Sequence, residues 1–157
     1  MKLYIKQKNK EGIDIVTMKN EIERKLILKN YWKDVLAQNK LTLPQYFCEG
    51  AYINWHNTNE HFTIEEFIIA NCEYPNEWDG TIERMECIDD LVICVCHVYT
   101  KDKSLSFHVT SFIQFSEKDR ILCIDEYWGD DGLPPKWRQK KNIGTNLNLI
   151  KKKGGIF

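Results

Sequence analysis

Three consecutive alternating segments between Leu91 and Trp128 constrain the fold of this chain more than any other feature. They are Leu91–Thr100, Ser106–Phe115 and Ile121–Trp128, and short charged segments separate them. Each segment alternates with period two and is rich in β-branched and aromatic residues, which is typical of β-strands. Connections this short join antiparallel neighbours. The sequence therefore predicts an antiparallel sheet that supports the elements before it.

The segments before this sheet predict both helices and strands. Capping-box patterns, in which a polar cap residue precedes a Glu or Gln by three positions, predict helices at about 20–39, 42–48 and 63–72. Alternating patterns predict strands at 51–57 and 78–88. The order is helix, helix, strand, helix and then four antiparallel strands. It predicts the α+β class, with the helices packed on one face of a curved sheet.

Charge is distributed unevenly along the 157 residues, which is the length of one domain. Residues 1–40 carry ten basic and five acidic side chains, residues 41–135 carry five and eighteen, and residues 136–157 carry seven and none. An acidic body argues against nucleic-acid binding, which needs a basic face with exposed aromatic residues. We therefore expect no nucleic-acid partner.

Membrane and cofactor signals are weak in this sequence. It has no apolar run of the roughly 18 residues that a membrane helix needs, and its first ten residues lack the apolar core of a secretory signal. These features predict a cytoplasmic protein with no membrane partner. The six cysteines form no CxxC motif and no spacing typical of zinc sites, so we expect reduced thiols, no metal and no other cofactor.

Four short patterns along the chain are shared with a known superfamily. They are Tyr31-Trp32, Tyr46-Phe47, Phe107–Phe115 followed by Arg120-Ile121, and Asp125-Glu126-Tyr127-Trp128. Together they resemble the NTF2-like superfamily and, within it, the SnoaL-like group. The resemblance covers residues 20–131, which predicts an N-terminal extension at 1–19 and a basic C-terminal tail at 132–157. It implies a cone: three N-terminal helices packed on the concave face of a curved, mixed but mainly antiparallel sheet, around a pocket.

The resemblance implies a small-molecule pocket protein but leaves two classes of function open. One is cofactor-independent acid–base catalysis, as in isomerases, cyclases, dehydratases or hydrolases, on a small apolar or aromatic metabolite. The alternative is a non-catalytic ligand-binding or protein-association module. The sequence leaves open whether the protein is an enzyme. Ketosteroid-isomerase-like members place carboxylates where this chain has Trp55 and Ser111, which argues against that isomerase chemistry.

Strand alternation indicates which side chains face the pocket. One set of alternating positions is more apolar, and the resemblance implies that it is concave: Val92, Cys94, Cys96, Val98, Phe107, Val109, Ser111, Ile113, Leu122, Ile124, Glu126 and Trp128. Glu126 is the predicted catalytic residue, because an apolar wall raises the pKa of a carboxyl group. The predicted ligand-binding residues are Tyr31, Trp55, Asn57, Asn71, Trp78, Ser111 and Trp128.

Structural roles are the alternative for two of these residues. Glu126 would then pair with Arg84 or hydrogen-bond to a helix end, and Tyr31 would be a buried structural side chain rather than a donor to a substrate carbonyl group.

The opposite face of the sheet predicts a homodimer. It keeps β-branched and aromatic residues such as Ile93, Phe112 and Tyr127 beside neutral polar groups, the composition of an interface core. The three predicted helices are all needed inside the cone, so none is left to cover this face. We therefore predict a symmetric dimer, sheet against sheet, with His97 and His108 at or near the contact.

Overall fold

The computed structural model describes residues 15–152. Its helices are α1 (Ile15–Leu36), α2 (Ile64–Cys72), α3 (Lys136–Lys141) and α4 (Leu147–Lys152), and a 3₁₀ turn at Leu43–Tyr46 follows α1. Its strands are β1 (Phe47–Trp55), β2 (Glu60–Thr63), β3 (Trp78–Ile88), β4 (Leu91–Thr100), β5 (Ser106–Phe115) and β6 (Ile121–Asp130). Within this range, the helices are too short or too polar to cross a membrane.

The six strands form one mixed sheet in the order β2-β1-β6-β5-β4-β3. The neighbours β3, β4, β5 and β6 pair antiparallel, as do β1 and β2, whereas β1 and β6 pair parallel. The predicted α+β class and the mixed, mainly antiparallel sheet are confirmed. The strand β2 was not predicted, because its four residues are too short for a periodic signal.

Helices α1 and α2 cover one face of the sheet, which we call the inner face. Helix α1 contacts β3, and α2 contacts β1. The side chains buried between helices and sheet include Leu28, Tyr31, Trp32, Phe67, Ile68, Ile53, Val92, Cys94, Val109, Ile113 and Ile124. Along the central strands, buried residues of this core alternate with residues that point to the other face of the sheet. That face is partly exposed, and we call it the outer face.

The start of α2 follows the predicted capping box. The backbone N–H of Glu66 donates to Thr63 Oγ1 at 3.3 Å, and the backbone N–H of Thr63 donates to Glu66 Oε2 at 2.9 Å. These two bonds satisfy donors that a helix N-terminus leaves without partners. The cap fixes where β2 ends and α2 turns back over the inner face.

The predicted helix at 42–48 is wrong. This segment forms only a 3₁₀ turn, and the Thr42 side chain makes no capping hydrogen bond. The chain has no room for a longer helix because it enters β1 at Phe47, whose carbonyl oxygen accepts two hydrogen bonds from Arg120. The described region before β3 thus holds two long helices rather than three.

The predicted helix start at Asn20 is also wrong. Helix α1 is already formed at Ile15, so Asn20 lies within it. Residues 1–14 of the predicted extension lie outside the described residues. The division into an extension at 1–19, a domain at 20–131 and a tail at 132–157 stays a prediction.

A β-bulge reverses the predicted orientation of Leu122. Phe115 pairs with Ile121 but Gln114 pairs with Cys123, so Leu122 is an extra residue between two paired positions. Ile121 and Ile124 are both fully buried, whereas Leu122 is 41% exposed on the outer face. Strict alternation cannot survive an inserted residue. The prediction of an inward Leu122 is therefore wrong, and parity holds from Cys123 onward.

Candidate functional site

A cavity of about 410 Å³ lies between the inner face and the two long helices, and we call it the inner cavity. Residues from α1, α2 and all six strands line it. Five of the predicted ligand-binding residues lie in its wall: Trp55, Asn57, Asn71, Trp78 and Trp128. The structure therefore brings together residues that are more than 70 positions apart in the sequence.

Aromatic rings form a large part of the wall. Four of the five tryptophans, Trp32, Trp55, Trp78 and Trp128, line the inner cavity. Two of them pack edge to face with phenylalanines of the same wall: the ring centroids are 4.8 Å apart for Trp55 and Phe62 and 6.4 Å apart for Trp128 and Phe107. Edge-to-face contacts hold aromatic rings in defined orientations. The wall is thus a preformed apolar surface.

Glu126 is buried directly behind this wall, with 2% of its surface exposed. Ser111 Oγ donates to Oε1 at 3.2 Å, and Trp128 Nε1 donates to Oε2 at 2.9 Å. Burial raises the pKa of Glu126, although the hydrogen bonds act in the opposite direction. Arg84 pairs instead with Glu86 at 2.8 Å, so the alternative of an Arg84–Glu126 pair is wrong.

Three buried donors near the inner face have no hydrogen-bond partner among the described residues: Tyr31 Oη, Trp32 Nε1 and Trp55 Nε1. Burial raises the pKa of Tyr31 well above its usual range, and the nearby charge of Glu126 acts in the same direction. The Trp55 N–H lies close enough to Glu126 to lower its pKa but forms no hydrogen bond of good geometry. Buried donors are normally paired, so these three groups are exceptions in the interior.

Glu126, Ser111 and Tyr31 do not themselves line the inner cavity. The indole of Trp128 lies between Glu126 and the inner cavity: Trp128 lines the cavity, and its N–H donates a hydrogen bond to Glu126. The structure thus confirms the inward orientation of Glu126 and Ser111 but places both beneath the wall. Alternation along a strand indicates which face of the sheet a side chain lies on, but not whether it reaches the cavity surface.

Several wall residues were not among the predicted site residues. Phe107 lies in the predicted concave set, so a sequence signal for it existed, and Trp32 lies within the predicted helix at 20–39. Glu60 and Asp130 at the cavity mouth carried no such signal. Glu60 belongs to the unpredicted β2, and Asp130 lies beyond the predicted end of β6.

A second, more open cleft of about 1010 Å³ runs between α1 and β3. Lysines of α1, namely Lys25, Lys29 and Lys33, lie on one side, and acidic residues of β3 lie on the other. Charges of both signs therefore line this cleft, in contrast to the inner cavity.

The outer face carries a polar cluster around His97 and His108. Their rings stack with centroids 4.6 Å apart, and Asp131 contacts both, at 3.4 Å from His97 Nε2 and 2.5 Å from His108 Nδ1. Glu83, His97 and His108 each offer one possible metal-ligand atom within 4.8 Å of the others. The prediction of a protein without a metal stays a prediction.

Comparison with known proteins identifies the fold. No family model and no curated protein sequence matches this chain. Among solved structures, it resembles an NTF2-like protein of unknown function from Burkholderia xenovorans at 13% identity, covering 81% of this chain and 98% of the other, with a TM-score of 0.65.

Two further solved structures are similar. A protein from Kribbella flavida described as a ketosteroid isomerase shares 14% identity over 74% of this chain and 85% of its own, with a TM-score of 0.63. The epoxide hydrolase/cyclase-like enzyme SalBIII, from pyran-ring formation in salinomycin, is 16% identical in sequence. The match covers 69% of this chain and 92% of SalBIII, with a TM-score of 0.58. SnoaL-like neighbours are found as well. The predicted resemblance is confirmed: the chain has the NTF2-like fold, as SnoaL-like proteins do.

Proposed function

We propose that this protein binds a small, mainly apolar or aromatic molecule in the inner cavity. We further propose that Glu126 serves there as acid or base in a cofactor-independent reaction such as an isomerisation, cyclisation, dehydration or hydrolysis. The observation that carries the proposal is a buried carboxyl group, bonded only to uncharged donors among the described residues, directly behind an aromatic cavity wall.

The surroundings of Glu126 suit proton transfer. A carboxyl group with a raised pKa holds its proton to higher pH than an ordinary one, which is the property of a general acid. After release, the Trp128 N–H and the Ser111 hydroxyl remain to stabilise the carboxylate.

A non-catalytic binding or association module is the second candidate. It is favoured by the position of Glu126, which lies beneath the cavity wall rather than in it. In that case Glu126 only anchors the Trp128 indole, and the protein holds its ligand without transforming it.

Ligand binding is tested by tryptophan fluorescence. Trp137 lies on α3 and is 59% exposed, so Trp137→Phe removes a background signal without touching the cavity. In this variant, binders from a panel of small aromatic and alicyclic compounds should change the emission of the wall tryptophans. Ala70→Leu, which fills part of the cavity, should weaken binding by about tenfold or more. Equal binding by both proteins would show that the ligand sits elsewhere.

Catalysis is tested on the compounds that bind. Glu126→Gln should keep binding within a few-fold but lower turnover by about 10²–10⁴-fold. Product formation is followed by mass spectrometry. Unchanged turnover would remove Glu126 from the reaction, and absence of turnover by the unmodified protein across its binders would favour the binding module.

We also propose that the protein forms a symmetric homodimer through its outer face. Phe112 is 37% exposed, Leu122 41% and Tyr127 49%, and these apolar side chains lie beside polar groups. Phe112→Lys should shift sedimentation at micromolar concentration towards the monomer. The matched variant Ile69→Lys, at a 49% exposed position on α2, should leave the dimer intact. A monomer at neutral pH, or a dimer that tolerates Phe112→Lys, would contradict this interface.

We propose the cytoplasm as the site of action. All six cysteines are free, and Cys94 Sγ and Cys96 Sγ approach to 3.5 Å without a disulfide. Free thiols persist in a reducing compartment. Fractionation of cells that produce the protein would test this location.

A further inference from the structure

We infer that the inner cavity accepts a positively charged ligand: an amine or quaternary ammonium group attached to an apolar or aromatic body. This inference rests on the proposed function, since it presumes that the cavity binds a small molecule, and it narrows the class of that molecule.

The aromatic wall is the first support. Trp32, Trp55, Trp78 and Trp128 all contribute to one cavity of about 410 Å³. The face of an aromatic ring is negative, and indole attracts a cation more strongly than the other aromatic side chains do. A cation bound over the face of one of these indole rings gains this attraction in addition to the burial of its apolar body. A neutral apolar ligand gains only the burial of its surface.

The charges at the cavity are the second support. Glu60 on β2 and Asp130 at the end of β6 are the charged residues of its lining, and no lysine, arginine or histidine of the described residues joins them. Neither carboxylate forms a salt bridge with a side chain that the structure describes. An apolar cavity with two unneutralised carboxylates at its mouth concentrates a negative potential there. That potential attracts cations and repels anions.

The cleft between α1 and β3 provides an internal contrast. Its lining combines Lys25, Lys29 and Lys33 with Glu77, Asp79 and Glu83, so charges of both signs lie close together. The inner cavity has no such compensation. Its polar groups other than the two carboxylates are neutral, as in Asn57 and Asn71. The difference in charge is therefore a property of this cavity and not of every opening in the molecule.

The test compares three probes that share a benzyl group and differ in charge. They are benzyltrimethylammonium, its neutral isostere neopentylbenzene, and the anion phenylacetate. Each is titrated into the full chain carrying Trp137→Phe, with tryptophan fluorescence as the readout. The cation should bind at least about tenfold more tightly than the neutral isostere, and phenylacetate should bind most weakly. Added sodium chloride should weaken binding of the cation alone.

A pair of double variants assigns the effect to the cavity mouth. Glu60→Gln with Asp130→Asn should weaken binding of the cation about tenfold and leave binding of neopentylbenzene unchanged. Glu73→Gln with Glu117→Gln removes the same charge from exposed positions outside the cavity lining. It should leave the affinity for the cation and for neopentylbenzene unchanged. Equal effects of the two double variants on the cation would overturn the assignment to the mouth.

The outcomes separate this inference from the proposed function. If neopentylbenzene or phenylacetate binds as tightly as the cation, the cavity is a ligand site but the cationic class is wrong. If none of the three probes binds, the inference is wrong, and the proposed ligand site loses its support as well.

Discussion

Asp125 and Glu126 are neighbours on β6, yet the sheet places them in opposite environments. Glu126 faces inward, is 2% exposed, and has a pKa that burial raises. Asp125 faces outward with 35% of its side chain exposed, and it accepts hydrogen bonds from Asn54 at 2.8 Å and from His56 at 2.7 Å. Burial alone would raise the pKa of Asp125, but these bonds lower it overall. One step along a strand therefore changes which protonation state the protein favours.

The same contrast extends to the two faces. The outer face groups its carboxylates with histidines, as in the contacts of Asp131 with His97 and His108. Within residues 15–152, the inner face satisfies Glu126 with neutral donors and leaves Tyr31 Oη without an acceptor. A buried carboxyl group without a charged partner and a buried hydroxyl group without an acceptor both reduce the stability of a fold. Their presence is the reason for placing the functional site on the inner face.

The largest expected difference between the faces comes from a lysine placed on each. Ile124→Lys puts an unpaired charge into the core, where Ile124 is fully buried, and should destabilise the protein by more than about 4 kcal/mol. Leu122→Lys adds the same charge at a 41% exposed position and should cost less than about 1 kcal/mol at protein concentrations low enough to keep the chain monomeric. Urea unfolding measures both. Similar losses would show that the bulge does not turn Leu122 outward.

A second difference concerns pH. Glu126 has a raised pKa in the folded state, so its contribution to stability is complete below the unfolded-state pKa and is lost as pH rises through the folded-state pKa. Glu126→Gln does not titrate and can still accept from Trp128. At about pH 4 the free energy of unfolding of the variant should therefore equal that of the unmodified protein. At higher pH the variant should become the more stable of the two, by up to about 1.4 kcal/mol per pH unit until the folded-state pKa is reached.

Asp125→Asn is the matched control for this pH dependence. The pKa of Asp125 is lowered, so its contribution is present at neutral pH and is lost as pH falls through the folded-state pKa. The variant should be slightly less stable than the unmodified protein at pH 7, by less than about 1 kcal/mol, and equal to it in acid. Chemical unfolding at several pH values follows both variants. The same sign of pH dependence for the two substitutions would contradict the comparison.

The smallest expected effect concerns a single hydroxyl group. Tyr31 is 1% exposed and its Oη has no partner among the residues that the structure describes, so Tyr31→Phe should stabilise the free protein by about 1 kcal/mol. Tyr46 is the control, because its hydroxyl donates to Asp34 Oδ2 at 2.6 Å. Burial and this bond raise the pKa of Tyr46 to about 12. Tyr46→Phe should destabilise by about 1 kcal/mol. Thermal unfolding at neutral pH compares them, and a loss of stability in Tyr31→Phe would reveal a hidden acceptor.

The sequence predicted most accurately those elements whose determinants are local. The predicted limits of β3, β4 and β5 agree with the structure, because alternation and short polar turns lie within each hairpin. The orientation of Glu126 followed from the same alternation. The capping box at Thr63 was also predicted correctly, since its bonds join residues three positions apart.

The features that the sequence did not predict depend on distant parts of the chain. Ile22 and Leu26 are apolar residues of the predicted first helix, yet they are 66% and 58% exposed, since the sheet decides which side of the helix is covered. The short β2 exists through its pairing with β1. The depth of Glu126 behind Trp128 depends on how side chains from separate elements pack, and no periodic pattern encodes that.

The parallel pairing of β1 with β6 determines the order in which this chain can fold. Asn54 and Asp125, which pair across these strands, are 71 positions apart, whereas β3 to β6 join through short turns. Closing a long loop is slow relative to forming hairpins. During synthesis, α1, β1 and α2 emerge first and wait with apolar residues such as Phe47 and Ile53 uncovered until β6 leaves the ribosome. We therefore expect the chain to expose the most apolar surface, and to be most prone to aggregation, before its last strand is made.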